Sequence, residues 1–312
     1  LEIRDRVRAT WDPRPYIEQW LWVRPEHGGG SVKVVMKEAQ EEYWRQTFGR
    51  EGGGEPGKSL LVLVPKHRNA YSTTWWEMCL YAFWACIPGF QGVFIIDTEA
   101  KVANLVLPVF ETFHQNIPEA VRPERSHFGA MWEAPHRDVE GKQASSQLIF
   151  CSGGAQDALR AGRPNMIGQS EKPKYELAKE SATDQAMRGS LVDSIVVYEG
   201  TPAGPFGNFF TTYLSVKDRK RPGVIIFRFW YQDGRHRLLE TDPAAAFFRG
   251  PLTEEERLLA AKFPDDGVPL LERVLWRRQK LHEYTDDAGR DAAAGRSVFL
   301  REYPEDETSC WA

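Results

Sequence analysis

Two stretches of the sequence carry residues suited to holding a phosphate group. Gly52-Gly53-Gly54-Glu55-Pro56-Gly57-Lys58-Ser59 fits the pattern G-x-x-x-x-G-K-[ST]. Such a loop works only where a strand leads in and a helix leads out. The helix N-terminus then turns its free N–H groups and positive dipole end toward the phosphates. Here a helix-like segment precedes the match, and the β-like run Leu60 to Val64 follows it and ends at Pro65. The match therefore reads as a surface loop. The second stretch breaks the formal pattern but has the required surroundings. Leu60 to Val64 runs into Pro65-Lys66-His67-Arg68-Asn69-Ala70-Tyr71-Ser72-Thr73-Thr74, and an apolar helix begins at Trp75. Thr73 or Thr74 falls in the first helical turn, where a hydroxyl can reach both phosphate and Mg²⁺. Lys66 and Arg68 can bring positive charge. The plainer alternative is a basic turn with a threonine N-cap.

A carboxylate placed to act on water is the next requirement. Glu171 follows the short apolar run Asn165 to Gly168, where a carboxylate can orient or deprotonate an attacking water. Its neighbour Ser170 supplies no charge. A plainer reading makes Glu171 the first-turn glutamate of a helix capped by Ser170. Gln40 carries an amide that both donates and accepts, as pairing with an adenine edge demands. The four cysteines, Cys79, Cys86, Cys151 and Cys310, lack paired metal-ligand spacing and read as reduced core residues.

Positioning these groups requires strands and helices in alternation. Pro13 to Arg24 is amphipathic, and Lys37 to Phe48 is helix-like with Ala39, Tyr43 and Trp44 as apolar anchors. Strand-length apolar runs follow at Leu60 to Val64, Val93 to Asp97, Gln147 to Cys151, Asn165 to Gly168, Ser194 to Tyr198 and Val224 to Trp230. Helices are expected at Trp75 to Ile87, stopped by Pro88-Gly89, and at Glu99 to His114. Continuous apolar strands separated by helices indicate a parallel sheet covered on both faces. After Tyr231 the character changes. Thr253 to Phe263 and Leu270 to Tyr284 are charged and helix-prone, and Asp286 to Gly295 reads as a small-residue linker.

A formal net charge of −4 argues against passive coating of nucleic acid, which favours a strongly basic domain. Local basic groups remain available at Arg219-Lys220-Arg221 and at Arg277-Arg278 with Lys280, although solvated surface is the commoner role of such clusters. The apolar stretch from Trp75 to Ile87 is too short to span a bilayer and contains Glu77. No secretory signal opens the chain, and a first residue of Leu1 suggests trimming.

Lys66-x-Arg68-Asn69-x-Tyr71-x-Thr73-Thr74 resembles the variant phosphate loop of bacteriophage large terminases, K-x-R-Q-x-G-x-S-T, in which the lysine has moved to the front. Asn69 stands where Gln is usual, and Tyr71 where Gly is usual. Further segments follow in the family's order. Met36 to Gln40 is similar to the adenine-reading element. Val93 to Leu105 is similar to the second strand, turn and helix. Ala158 to Arg163, followed by Asn165 to Glu171, resembles the arginine-containing turn and Walker B strand, with Ser170-Glu171 in place of Asp-Glu. Ile195 to Gly204 resembles the coupling motif. Trp276-Arg277-Arg278 and Arg301 to Pro304 resemble the close of the ATPase region. The resemblance runs from about residue 14 to about residue 309.

The resemblance implies an α/β fold: a P-loop NTPase of the ASCE type, a three-layer sandwich with a mostly parallel central sheet, plus a small mainly helical lid subdomain. It implies an N-terminal segment over residues 1–45, an ATPase core over 46–235, and a lid with a linker over 236–312. ATP and Mg²⁺ would be the cofactors. Lys66 and Asn69 would hold phosphates, Thr73 would hold Mg²⁺ with Thr74 and Ser170 beside it, and Gln40 would read adenine. Glu171 would serve as catalytic carboxylate and Arg68 would assist in cis. Arg160, or failing it Arg163, would reach a neighbouring subunit's ATP, and Thr201 would couple hydrolysis to lid movement. Without Asp at position 170, Mg²⁺ would be held more weakly than in Asp-Glu relatives. The implied partners are double-stranded DNA, the procapsid portal protein, the small terminase subunit and further copies in a ring. The implied setting is host cytoplasm, docked on the portal. The nuclease of such a protein is expected beyond Ala312, so this chain should not cut DNA. Two alternatives stay open: a helicase-like DNA motor, and a scaffold that binds nucleotide or DNA with little turnover.

Overall fold

Six apolar residues, Leu60–Pro65, form β3, and five of them are buried. In the computed structural model, which describes residues 2–25, 28–49, 58–68, 70–137, 141–153, 163–175 and 194–311, the chain divides into two units. The first comprises residues 1–64, 71–200 and 207–226. It opens with helices α1 (Glu2–Thr10) and α2 (Arg14–Trp20), the short strands β1 (Trp22–Val23) and β2 (Val32–Lys33), and helix α3 (Glu38–Thr47). After β3 come α4 (Ser72–Cys86), β4 (Gln91–Ile96), and a helix built of α5 (Glu99–Lys101), a π-helical turn (Val102–Val106) and α6 (Leu107–Asn116). Strands β5 (Ser126–Phe128), β6 (Met131–Arg137), β7 (Gln143–Ser152), β8 (Met166–Gln169) and β9 (Ile195–Gly200) follow, then α7 (Gly207–Lys217) and β10 (Val224–Ile225).

The main sheet has eight strands in the order β10-β3-β9-β8-β4-β7-β6-β5. β10 runs parallel to β3, β4 parallel to both β7 and β8, and β8 parallel to β9. β8 and β9 are buried at every position, as strands covered on both faces must be. The other edge differs from the sequence expectation. β7 begins at Gln143, before the expected Gln147, because its first half pairs antiparallel with β6, from Met131↔Ile149 to Arg137↔Gln143. β6 alternates in burial and lacks the continuous apolar signal that marks the central strands.

Helix α4 is the pivot of this unit. Every residue from Ser72 to Cys86 is buried except Thr73 and Thr74. A helix apolar all round must lie inside a core. Trp75, Trp76, Leu80, Phe83 and Trp84 pack there with Tyr16 and Ile17 of α2, Tyr43 of α3, and Phe94 and Phe110. α4 starts before the expected Trp75, so Ser72 and Thr73 occupy its first turn. Tyr71, the N-cap, lies in the left-handed region at φ 58°, ψ 8° and makes no side-chain cap bond. That conformation is open to glycine and strained for tyrosine. The family pattern's glycine position therefore keeps a glycine-like backbone here.

The second unit comprises residues 65–70, 201–206 and 227–312. It is mainly helical: α8 (Ala245–Phe248), α9 (Glu254–Ala260), α10 (Leu270–Asp287) and α11 (Ala292–Glu302). Trp230, Leu275, Trp276, Phe299 and Tyr303 form its core. Two expectations are corrected here. The sixth strand is regular only over Val224–Ile225, with parallel pairing reaching Arg228, whose N–H donates to Pro65 O at 3.0 Å; the Gln232 side chain then accepts the Phe229 N–H (2.9 Å) and closes a 3₁₀ turn over Trp230–Gln232. Asp286 to Gly295 is a tight helical hairpin. Asp291 caps α11 by accepting from the N–H groups of Ala293 and Ala294, both at 3.0 Å, and Gly295 lies so close to Thr285 that a Cβ would fall 2.5 Å from its Cα. Small residues bring two helices together there. Among the described residues no helix is long and apolar enough to cross a membrane.

Candidate functional site

The carboxyl ends of β3, β9 and β8 lie side by side, where open parallel sheets bind ligands. Within the first unit, one buried carboxylate gathers the hydroxyls of that edge. Glu199, 1% exposed near the end of β9, accepts from Ser72 Oγ, from Thr73 Oγ1 at 2.7 Å and from Ser170 Oγ. Thr73 Oγ1 and Ser170 Oγ are 3.4 Å apart. Two of these hydroxyls come from the first turn of α4 and one from the turn after β8. The arrangement places a carboxylate and a helix-terminal threonine hydroxyl together, the pair that holds Mg²⁺ in P-loop enzymes. The sequence reading missed Glu199. Its signal was present, a charged residue inside a strand buried at every position, but position 171 drew the carboxylate role.

Glu171 is on the neighbouring strand end, also in left-handed backbone (φ 56°), with its carboxylate 2.5 Å from Lys174 Nζ. Lys172 is fully buried, its Nζ 4.8 Å from the centre of the Tyr198 ring. Glu77, one turn along α4 from Thr73, is 3% exposed. Burial first, and the charge of Glu199 second, push its carboxyl well above the usual range, so it keeps its proton.

Of the remaining expected residues, Gln40 is buried, and its Oε1 accepts the Lys37 N–H at 3.0 Å. One valence of the amide thus closes the start of α3. Thr74 turns away from Glu199 and lines a cavity of about 250 Å³ with Val23, Arg24, Asn104 and Phe113. A larger cavity, about 630 Å³, is walled by Leu107, Phe128, Phe150 and Cys151, with Glu99 but no cation among its described lining residues. It is unsuited to phosphate. In the second unit, Lys66 is buried and bridges to Arg228 in parallel fashion. Arg68 donates its backbone N–H to Glu302 O (3.0 Å) and brings its guanidinium within 4.0 Å of the Glu302 carboxylate. Thr201 is buried. Arg163 is exposed. Asn69, Arg160 and residues 50–57 lie outside the described residues, while Lys58 and Ser59 lead directly into β3. The Gly-rich match thus precedes a strand.

The two basic clusters part company. Arg277 pairs with Glu305 (2.5 Å) and Glu255, and Arg278 pairs with Glu256 (2.6 Å). With side chains 4% and 16% exposed, they are fixed in internal ion pairs, a correction to their reading as solvated surface. Arg219 and Lys220 are exposed and Arg221 half-buried, beyond the end of α7.

No family model and no curated protein matches the sequence. Solved structures do match in fold. The large terminase of bacteriophage HK97 aligns over 97% of this chain and 55% of its own, with a TM-score of 0.55 at 13% identity. The large-terminase ATPase domain of Thermus phage P74-26 aligns over 88% of this chain and 94% of its own, with a TM-score of 0.50 at 15% identity. At such identities the likeness is one of fold: an α/β domain on a large, mostly parallel sheet.

Proposed function

We propose that this chain is the ATP-hydrolysing motor domain of a viral large terminase, driving double-stranded DNA into a procapsid. The observation that carries the reading is the bonding of Glu199 to the hydroxyls of Ser72 and Thr73, at the N-terminus of the helix that follows β3. The fold shared with two terminases supports it.

Phosphoryl transfer asks a protein mainly for positioning and charge neutralisation. The α4 N-terminus offers its first-turn N–H groups and a positive dipole end to an anion. Lys66, the residue after β3, adds charge against the β- and γ-phosphates. Oxygen donors from Thr73 and Glu199 converge, a hard donor set that fits Mg²⁺. Bound Mg²⁺ would neutralise charge shared by the two terminal phosphates. Glu171 orients the attacking water once released from Lys174. Gln40 reads adenine, Arg68 and Asn69 assist at the phosphates, and Thr201 couples turnover to movement of the helical unit. Arg160, or Arg163, acts on a neighbouring copy's ATP in a ring. Arg219 to Arg221 offer charge to the DNA backbone. The portal protein and small terminase subunit are the expected partners, in host cytoplasm.

A second reading, nucleotide binding with little turnover, is favoured by one observation: the ion pair between Glu171 and Lys174 occupies the base. Phosphate release from ATP, with and without DNA, separates the two. The motor reading expects Mg²⁺-dependent release stimulated by DNA and abolished in Lys66→Ala. ATP binding with no release in the assembled ring supports the second reading, and absence of binding defeats both.

A further inference from the structure

The second unit holds a separate cluster that the motor reading leaves unused. His67 lies two residues after β3, and Asp233 and His236 lie in the turn after Trp230–Gln232. One ligand atom from each lies within 4.8 Å of the others. The His67 and His236 rings meet edge to face with centres 4.8 Å apart.

Hydrogen bonding fixes the tautomers. His67 Nδ1 is 2.8 Å from Arg68 O, and His236 Nδ1 is 2.9 Å from Trp230 O. A backbone carbonyl only accepts, so each Nδ1 carries the proton and donates it. In a neutral ring the other nitrogen, Nε2, is then a bare lone pair. His67 Nε2 is buried, without a hydrogen-bond partner, on a residue only 1% exposed. Neither ring has a second proton to give the other, and the aspartate adds only further lone pairs. A buried acceptor left without a donor is destabilising. Metal-binding histidines are oriented in this way, with the distal N–H held by a carbonyl.

We infer that His67, Asp233 and His236 bind a divalent transition-metal ion of the zinc class. Two imidazoles and a carboxylate suit Zn²⁺, Co²⁺ or Ni²⁺, whereas Mg²⁺ prefers the all-oxygen set around Glu199. Tetrahedral ligands at zinc bond lengths sit about 3.3 Å apart, so binding draws the three side chains inward by about 1 Å. Asp233 already takes the Arg235 guanidinium on both oxygens, at 2.6 to 3.1 Å. Carboxylate oxygens keep further lone pairs for a metal, and the guanidinium is partly exposed. Trp276 and Tyr303 pack on the His236 ring, with centres at 4.6 and 5.5 Å, and wall one side with apolar surface. The bound ion would clamp the loop that carries Lys66 onto the 233–236 turn.

Chelator-treated chain titrated with Co²⁺ tests the site through its visible absorption bands, which do not depend on ATP turnover. The expected result is one Co²⁺ per chain, displaced by Zn²⁺ and not by excess Mg²⁺. Affinity should fall about 100-fold or more in His236→Gln and in Asp233→Asn. Zn²⁺ should raise the melting temperature of wild type alone. Where circular dichroism shows His236→Gln unfolded, Asp233→Asn decides. No stoichiometric uptake, or uptake undiminished in the folded variants, overturns the assignment.

Discussion

The two units solve the placement of polar groups in opposite ways. In the first, a carboxylate at the end of a parallel strand collects hydroxyls from a helix start and a neighbouring strand end. The donors are all oxygen and lie where parallel sheets present ligand sites. In the second, imidazoles distant in sequence meet inside a helical, aromatic core, each oriented by a backbone carbonyl. The first arrangement suits a hard ion that comes and goes with a triphosphate. The second suits a softer ion held in place. The donor chemistry, more than the surrounding fold, tells the two apart.

The sharpest break of that comparison is Glu199→Gln. Removing the charge while keeping the shape should lower ATP turnover about 10³-fold. It should leave Co²⁺ uptake in the second unit unchanged. Phosphate release and cobalt absorption on one preparation check both halves. Turnover within tenfold of wild type would return the carboxylate role to Glu171.

Legibility in the sequence followed the same division. The central strands announced themselves because burial on both faces leaves uninterrupted apolar runs, and Leu60–Pro65, Gln91–Ile96 and Ile195–Gly200 were found close to their ends. The edge strands Ser126–Phe128 and Met131–Arg137 were missed. Ser126–Phe128 is exposed throughout, and Met131–Arg137, though it alternates in burial, carries Pro135 within the run and the polar His136 at a buried position. Thr73 and Ser170 were singled out as neighbours of a metal, and the structure brings them together. Glu199 escaped because a carboxylate's use depends on which strand lies next to it, and strand order is not written locally. His67, Asp233 and His236 escaped for a stronger version of that reason: no local spacing links residue 67 to residue 236.

Glu77 sharpens the comparison through pH. Its carboxyl is held protonated in the folded protein and ionises near the ordinary 4.5 when unfolded. Stability from this group is therefore full below that value and lost as pH rises toward the raised folded pKa. The loss is about 1.4 kcal/mol per pH unit. Glu77→Gln should match wild type near pH 4 and exceed it progressively toward pH 7, read from urea midpoints. A constant difference across that range would mean Glu77 ionises normally. Ser170→Asp probes the same charge more gently. A second carboxylate against Glu199 should destabilise the chain by about 1–2 kcal/mol without Mg²⁺. Added Mg²⁺ should restore it, and failure to do so would place the ion elsewhere.

The smallest expected effect concerns the backbone that presents the hydroxyls. Tyr71 is left-handed immediately before Ser72, a conformation that costs a non-glycine residue about 1–2 kcal/mol. Tyr71→Gly removes that strain but loses the ring's packing and adds unfolded-state entropy worth about 0.5–1 kcal/mol. These changes oppose one another, so the net shift should stay below about 1 kcal/mol. Tyr71→Val loses the ring as well, yet its β-branched side chain suits left-handed backbone still less than tyrosine does. Valine should therefore fall below glycine by about 1–2 kcal/mol in urea unfolding. Equal midpoints for the two variants would show that the loop relaxes out of the left-handed region. In that case the first turn of α4 would owe its placement to the hydroxyl bonds of Ser72 and Thr73 with Glu199, and Glu199→Gln should then weaken that turn as well as the chemistry.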